Sequence, residues 1–438
     1  QGLPNFRLRL PSRNWMIFLS ITGSWTAAVI YDRREKKRIQ KKWATVVSHL
    51  AEEAVPTSVM PRKLTIFLTA PPADGLMAAR DHFHEYVKPI LVSASLDWDA
   101  IEGRREGDVR AALAERIRQL RKLKGEHSTE PVEEEDADVI TYRQRQRSGI
   151  REWDGIQGDI IIGRNTWKEY VRGLHEGWLG PLDPPPPPPE ADPLPSSTPP
   201  ESSTPLSSTT IPGSQPSELV PDTPHTTSDD ASPTTTPPPE SPSETPPAEQ
   251  EKKPTKRKQP DPFISPSQYS TATLAPTCPP ELPPSTTISF PHILGFLNTP
   301  TRMYRFLNRR KVADDIGRQT AAAVLASYRP FAESGHGDGA FLGDDATSSG
   351  DENQANSQRR WEQQTLLIEE EAEWHKSVRK TKEGDQKKER VWLDEVVLDP
   401  RIAGRMRRFE VTPEEEQRAD RIRNGEGALG STDEERDR

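Results

Sequence analysis

The feature that most constrains this chain is a run of eighteen residues near its N-terminus that contains no charged side chain. Residues 14–31, NWMIFLSITGSWTAAVIY, are followed directly by the basic cluster DRREKKR. A helix rises 1.5 Å per residue, so the run reaches about 27 Å, close to a hydrocarbon thickness of roughly 30 Å. Its hydroxyl side chains can donate to carbonyls of their own helix. The pattern therefore predicts a single transmembrane helix.

Two other structures compete with a membrane anchor for this run. A cleaved secretory signal has a shorter apolar region and a small-residue cleavage site, whereas the residues that follow here are densely charged. A soluble core helix of this length normally has a polar face. Trp15 and Tyr31 occupy the two ends of the run, where interfacial aromatic residues belong. The anchor accounts for more of these features than either alternative.

Small residues line one side of the predicted anchor and indicate a surface for another helix. Ser20, Ser24 and Ala28 are four positions apart, and Gly23 and Ala27 form an adjacent row. Small residues at this spacing let a second transmembrane helix approach closely. Because small residues are also simply tolerated in lipid, the stripe alone leaves both interpretations open.

The flanks of the run carry contradictory information on orientation. Arg7, Arg9 and Arg13 precede it, and no acidic residue occurs before Asp32, which is the charge signature of mitochondrial targeting. Seven Lys or Arg residues lie between positions 33 and 42. Taken by itself, this count would place the C-terminal side of the helix on the inside.

The rest of the chain alternates folded blocks with segments that cannot form a core. Only 32% of residues are hydrophobic and 45 are prolines, so long stretches cannot offset their ordering entropy. The predicted organisation is a basic segment 1–13, the transmembrane helix 14–31, a charged and solvated helical extension 32–55, an α/β block 62–181, a disordered Pro/Ser/Thr-rich linker 182–260, a second part of the α/β domain 261–332, a disordered linker 333–359, a helical and apolar block 360–411 and a charged tail 412–438.

Repeated alternation of strand and helix determines the predicted fold class. Such alternation is typical of a layered α/β unit with a parallel sheet. We expect the two blocks to share one core, because each alone has few strands. The apolar and periodic patterns predict strands at 63–69, 96–102, 158–163 and 288–296, and helices at 76–92, 107–124, 166–180, 299–328 and 360–382.

The sequence offers this scaffold no recognisable chemistry. No GxSxG, HExxH, phosphate-loop or CxxC motif occurs, and the turn PPADG after the first strand lacks the glycines and lysine of a phosphate cradle. His82 and His84 lie two apart and so face different sides of the predicted helix, while His175 is expected to pack against Trp178. We therefore expect no catalytic residue, no cofactor and no metal.

Charge and cysteine content exclude further classes of protein. The net charge of -9 argues against nucleic-acid binding by the chain as a whole. Cys278 is the single cysteine, which excludes an internal disulfide, a cysteine zinc cluster and a CxxC redox pair. It is expected to behave as a small buried apolar residue.

Several long blocks of the chain resemble one family. They are the anchor with its basic flank, GDIIIGRNTWKEYVRGLHEGWLGPLDPP, PFISPSQYSTATLAPTCPPELPPSTTISFPHILGFLNTP and RVWLDEVVLDPRIAGRMRRFE. Together they resemble the fungal fifty-four-kilodalton subunit of the carrier translocase of the mitochondrial inner membrane. The resemblance implies a single-span inner-membrane protein with its bulk in the intermembrane space, and so opposes the flank-charge count. Import through a presequence-like N-terminus can override flank charges.

The resemblance also implies a function and partners. It implies a non-enzymatic scaffold that supports insertion of multispanning proteins, with the channel-forming translocase subunit and small intermembrane-space chaperones as partners. It brings no catalytic residues. Two alternatives remain: a membrane-tethered phosphate-ligand enzyme, suggested by a loose similarity of the first domain to lipid kinases, and an assembly factor for other inner-membrane complexes, including proteases.

Overall fold

The computed structural model describes residues 12–128, 137–151, 153, 155–185, 261–334, 360–380 and 389–425. Most of the two predicted linkers, residues 186–260 and 335–359, lies outside the described residues, as do 1–11 and 426–438. The disorder of the linkers therefore stays a prediction. The architecture is α/β, as expected, with strands from both sequence blocks in one sheet.

A six-stranded sheet forms the centre of the fold. The strands of the described residues are β1 (Lys63–Thr69), β2 (Asp97–Gly103), β3 (Gly158–Ile162), β4 (Ser285–Ile288), β5 (Tyr328–Pro330), β6 (Glu333–Ser334), β7 (Arg360–Trp361) and β8 (Arg407–Phe409). The order in the central sheet is β2-β1-β3-β4-β8-β5, and all neighbouring strands are parallel except β5 and β8, which are antiparallel. A separate antiparallel pair is formed by β6 and β7.

Helices cover both faces of the sheet. A π-helical turn, Phe83–Val87, joins α2 to α3, so the two form the single helix that the sequence predicts at 76–92. The helices are α1 (Arg13–Val47), α2 (Leu76–His82), α3 (Lys88–Ser93), α4 (Asp108–Leu123), α5 (Ala137–Arg147), α6 (Arg164–Leu179), α7 (Thr299–Phe306), α8 (Arg309–Leu325), α9 (Glu362–Thr365), α10 (Glu369–Glu373), α11 (Pro400–Ala403) and α12 (Pro413–Asn424).

Alternation along β1 explains the two layers of helices. Leu64, Ile66 and Leu68 point to one face, where they join a core with α1, α2, α3, α8 and α12. Phe67 points to the other face, where it joins a core with α4 and α6. Because both faces are covered, β1 and β3 are largely apolar, and β4 buries Ser285, Thr286 and Thr287. Gly177 lets α4 and α6 approach closely, since a Cβ there would lie 2.7 Å from Ile117 Cβ.

The second half of α1 is a core element, so the prediction that it is a solvated extension is wrong. Ile39, Trp43, Val46 and Val47 are at most 5% exposed and pack on the α8 face. Their spacing forms a helical stripe, which the surrounding Lys and Arg residues conceal in the sequence. The helix ends at Val47 and is followed by a 3₁₀ turn at Ser48–Glu52.

Residues 360–382 do not form the single helix that the sequence predicts. Strand β7 is followed by the short helices α9 and α10 and by a 3₁₀ turn at Lys376–Arg379. Leu367 has a φ of 56°, which interrupts any helix. The neighbouring backbone is held by long-range contacts, since the Trp167 indole donates to the Gln363 carbonyl at 2.9 Å. Tertiary contacts therefore override the helical propensity of this charged segment.

Two further boundaries differ from expectation. The strand predicted at 288–296 ends at Ile288, and the residues after it form a loop that leads to α7. The predicted charged tail begins with an ordered helix, α12, instead. Thr412 and Glu415 form a capping box at its start, and Ala419 is buried in the core shared with α1. The capping box, the buried Ala419 and an ion pair between Asp420 and Lys42 hold this charged segment against α1.

Candidate functional site

The first half of α1 is an apolar helix that the rest of the domain leaves largely uncovered. Nine of its large apolar side chains, from Trp15 to Tyr31, are between 37% and 64% exposed. The hydroxyls of Thr22, Ser24 and Thr26 donate to carbonyls three or four residues earlier, which confirms the expectation from sequence. Among the described residues, no helix combines the length and apolar character that a membrane crossing demands.

The predicted helix-packing residues all lie on this half of α1. Ser20, Gly23, Ser24 and Ala27 are exposed, Ala28 is half-buried, and nothing lies within 4 Å of a Cβ built on Gly23. The described part of the domain therefore leaves most of this stripe open. Its role in helix packing stays a prediction.

The predicted interfacial residues Trp15 and Tyr31 stand at the two ends of the apolar half, where they are 59% and 57% exposed. This exposure leaves both rings available to a surrounding medium. Their role as interfacial anchors also stays a prediction.

Ion pairs fix α1 to the domain where its apolar half ends. Asp32 is 3% exposed and accepts hydrogen bonds from the backbone N–H and the guanidinium of Arg310, both at 3.3 Å. Lys36, which lies four residues after Asp32 in α1, pairs with Glu85. Part of the basic cluster that follows the apolar run is thus neutralised by the domain. The apolar helix and the domain are joined rigidly, without an intervening loop.

The edge of the sheet where an α/β protein would bind a ligand is occupied by the chain itself. Strand order reverses between β1 and β3, so a crevice is expected beyond their carboxyl ends, beside the N-terminus of α6. The Glu370 carboxylate accepts hydrogen bonds there from the backbone N–H groups of Arg164, at 2.8 Å, and Phe290, at 2.6 Å. A helix N-terminus is where a phosphate would bind. A carboxylate of the chain takes that position.

Little space remains around the Glu370 carboxyl group. The cavity beside Glu370 and Asn165 has a volume of about 10 Å³, room for no more than one water. Burial raises the pKa of Glu370 to about 7. The Arg164 guanidinium donates to the Leu366 carbonyl and to the Glu371 carboxylate, both at 2.7 Å. The crevice is therefore filled by side chains of the protein in this conformation.

The buried histidines His82 and His175 have structural contacts. His82 is buried and lies 3.0 Å from the Ser289 carbonyl, while His84 is exposed, so the two face different sides as expected. His175 stacks on Tyr269, with ring centroids 4.8 Å apart. Burial lowers the pKa of both His82 and His175 to about 4. Both are therefore neutral at physiological pH.

The remaining contacts of His175 were not foreseen from sequence. Its Nδ1 lies 2.8 Å from the Val171 carbonyl, and its Nε2 accepts the Asp399 N–H at 2.9 Å, which defines a neutral tautomer. The ring that stacks on His175 belongs to Tyr269 and not to the expected neighbour Trp178. The sequence did not indicate this contact, because Tyr269 is remote from His175 along the chain. No cluster of His, Cys, Asp or Glu side chains suited to a metal ion occurs in the described ranges.

Cys278 is half-buried rather than fully buried. It packs against the core on the α4–α6 face, and burial raises the pKa of its thiol. A raised pKa disfavours the reactive thiolate. The residue behaves as a small apolar side chain in this setting.

Comparison with known proteins identifies the family. The profile of the family described as inner membrane protein import complex subunit Tim54 matches residues 1–409. A mitochondrial import inner membrane translocase subunit tim54 of Aspergillus oryzae is 51% identical, over 97% of this chain and 89% of the relative. Proteins with the same name in Neurospora crassa and Saccharomyces cerevisiae are 45% and 26% identical, over 96% of this chain in each case and over 82% and 94% of the relatives. The chain belongs to the Tim54 family of inner membrane protein import complex subunits.

Proposed function

We propose that this chain is a single-span, non-enzymatic scaffold of the carrier translocase in the mitochondrial inner membrane. The domain lies in the intermembrane space and supports insertion of multispanning proteins. The observation that carries the proposal is the continuity of α1, which is apolar and uncovered over residues 14–31 and buried in the domain core from Ile39 to Val47. One rigid helix thus couples a membrane segment to a folded domain.

The proposed partners are the channel-forming translocase subunit, within the membrane, and the small chaperones of the intermembrane space. The stripe of Ser20, Gly23, Ser24, Ala27 and Ala28 suits the membrane partner, because small side chains allow close helix approach. The uncovered state of this stripe supports the proposal. Trp15 and Tyr31 anchor the helix at the two interfaces.

Co-purification from digitonin extracts tests this function. We expect the chain to retain the channel-forming subunit, and expect the double variant Gly23→Leu/Ala27→Leu to lose it. Thr22→Leu is the matched control, because at 100° per residue it lies on the opposite side of the helix. Equal recovery of the channel-forming subunit with both variants would contradict a packing role for the stripe. Recovery of protease subunits in place of translocase subunits would favour the assembly-factor alternative.

The phosphate-ligand enzyme has less support. The carboxylate of Glu370 occupies the position at the N-terminus of α6 where a phosphate would bind. Thermal unfolding with and without added ATP and magnesium tests this alternative directly. We expect no change in melting temperature, and a rise that depends on nucleotide concentration would revive the enzyme.

A further inference from the structure

A short segment before α8 exposes an unusual amount of apolar surface. Phe296 and Leu297 are 89% and 91% exposed, and Met303, Tyr304 and Phe306 are between 37% and 62% exposed. The helix within this segment, α7, has no buried residue. A helix that buries none of its apolar side chains lacks the usual source of tertiary stability. An exposed apolar surface of this kind indicates contact with a partner protein or a membrane.

The apolar residues of the segment belong to one short helical stretch that also carries cations. Phe296 and Leu297 lie in a 3₁₀ turn, Phe296–Asn298, that leads directly into α7. Within α7, Met303, Tyr304 and Phe306 fall on one half of the helix circumference at 100° per residue. Basic residues follow closely, at Arg302, Arg305, Arg309, Arg310 and Lys311. This combination is typical of helices that lie in the plane of a membrane interface.

The start of α8 and a shared cavity connect the segment to the proposed membrane anchor. Arg310, in the first turn of α8, pairs with Asp32 at 3.3 Å, and its guanidinium lies 5.3 Å from the ring centroid of Tyr31. Trp25, Met303 and Phe306 line one cavity of about 680 Å³. Trp25 lies seven residues before Asp32, a distance of about 10 Å along the helix. Helix α7 and the last two turns of the apolar run therefore border the same cavity.

We propose that residues 296–306 form an interfacial helix, which begins as the 3₁₀ turn Phe296–Asn298 and continues as α7, and that it inserts into the bilayer next to the anchor. This inference rests on the proposed function, because the level of the bilayer is set by α1. Phe296, Leu297, Met303 and Tyr304 enter the boundary between headgroups and acyl chains.

Charge favours a lipid surface with anionic headgroups over a protein groove. Arg305 pairs with Glu373, and Arg309 pairs with Glu85, so these two cations are compensated within the domain. Arg302 is exposed and has no acidic partner among the residues described. Lys311 is also exposed and directly follows Arg310, which meets the anchor. Both cations are positioned to face lipid phosphates.

Depth-dependent quenching tests the proposal on the full chain reconstituted in vesicles. In a Cys278→Ser background, an environment-sensitive fluorophore is attached to Leu297→Cys, to Ile21→Cys within the anchor, or to Val397→Cys as control. Val397 is an exposed apolar residue too, at 47%, but its neighbours pack on the α4–α6 face. The vesicles contain phosphatidylcholine brominated near the headgroup or deep in the acyl chain.

The expected results separate the inference from the function on which it rests. The label at 297 should be quenched most by shallow bromine, the label at 21 by deep bromine, and the label at 397 by neither. Quenching at 21 without quenching at 297 would overturn the interfacial helix and leave the anchor intact. Absence of quenching at both positions would overturn the anchor and the interfacial helix together. A blue-shifted but unquenched label at 297 would show that a protein covers the segment, which also overturns the proposal.

A second arm examines the proposed contact with anionic lipid. Addition of phosphatidylglycerol should increase shallow quenching of the label at 297. The double variant Arg302→Gln/Lys311→Gln should lose this increase, because the two uncompensated cations are gone. The matched double variant Arg104→Gln/Lys124→Gln removes two exposed cations elsewhere and should keep it. Equal lipid dependence in the two variants would contradict the headgroup contact.

Discussion

Replacement of Trp43 by alanine should destabilise the whole domain, although this residue belongs to the helix that we propose as a membrane anchor. Trp43 is 2% exposed, and its indole packs so tightly on α8 that a Cβ on Gly317 would lie 2.3 Å from it. Its Nε1 donates to the Asp314 carboxylate at 2.8 Å. The side chain thus joins α1 to α8 by both packing and a hydrogen bond.

The size of the effect follows from these contacts. Truncation of a buried tryptophan to alanine costs about 3–5 kcal/mol in free energy of unfolding. The lost hydrogen bond adds roughly 1 kcal/mol or less, because Asp314 is half-exposed and water replaces the indole. At about 2–4 °C per kcal/mol for a domain of this size, the melting temperature should fall by roughly 10 °C or more. Trp43→Phe keeps most of the packing and should cost much less.

Calorimetric unfolding of the full chain in detergent measures this shift without relying on tryptophan fluorescence. Trp15→Ala is the control, because Trp15 lies in the uncovered half of the same helix and is 59% exposed. It should change the free energy of unfolding by about 0.5 kcal/mol or less. Equal melting temperatures for Trp43→Ala and Trp15→Ala would refute the conclusion that the second half of α1 belongs to the core.

Three further predictions concern buried groups. Glu176→Ala removes the carboxylate shared by the buried Arg110 and Arg118 and should cost about 3–5 kcal/mol in a chemical denaturation experiment; a cost below 1 kcal/mol would contradict a native pairing. Gly177→Leu should push α4 away from α6 and lower the free energy of unfolding by at least about 1–3 kcal/mol in the same assay. Unchanged stability of this variant would contradict the close approach of the two helices. Because the pKa of Glu370 is raised from 4.5 to about 7, the native state keeps a proton that the unfolded chain releases, so stability falls as pH rises through this window. Glu370→Gln should flatten this part of the melting-temperature profile, and an unchanged slope would contradict the assignment.

Apolar patterns identified three of the six strands of the main sheet, β1, β2 and β3, and missed β5 and β8. The runs at 63–69 and 158–163 became β1 and β3, and both are nearly continuous because parallel strands buried on two faces have no polar side. The burial of the second half of α1 was not predicted, because Ile39 and Trp43 are surrounded in the sequence by Lys and Arg residues. This composition is typical of a solvent-exposed helix. Average hydropathy hides a narrow buried face when the opposite face is strongly charged.

Long-range contacts were beyond the reach of the sequence patterns. The carboxylate at the end of β3 comes from Glu370, which is 206 positions from Arg164, and no local pattern indicates this pairing. The exposure of Phe296 and Leu297 was also unforeseen, because apolar runs of this kind normally form strands or core helices. The anchor stripe was visible because it depends only on spacing within one helix. The sequence thus predicts individual helices and strands. It does not predict which side chains from distant parts of the chain contact each other.

Protease accessibility in mitoplasts tests the central claim most directly, namely that α1 crosses the inner membrane once and places the domain in the intermembrane space. The full-length chain should survive protease in intact mitochondria and should be cleaved once the outer membrane is ruptured. The predicted linker at residues 182–260 offers a site that is independent of domain stability. A matrix protein must stay intact in the same sample, and detergent must expose both. A full-length chain that remains protected in mitoplasts would contradict this topology and would favour the orientation indicated by the flank charges.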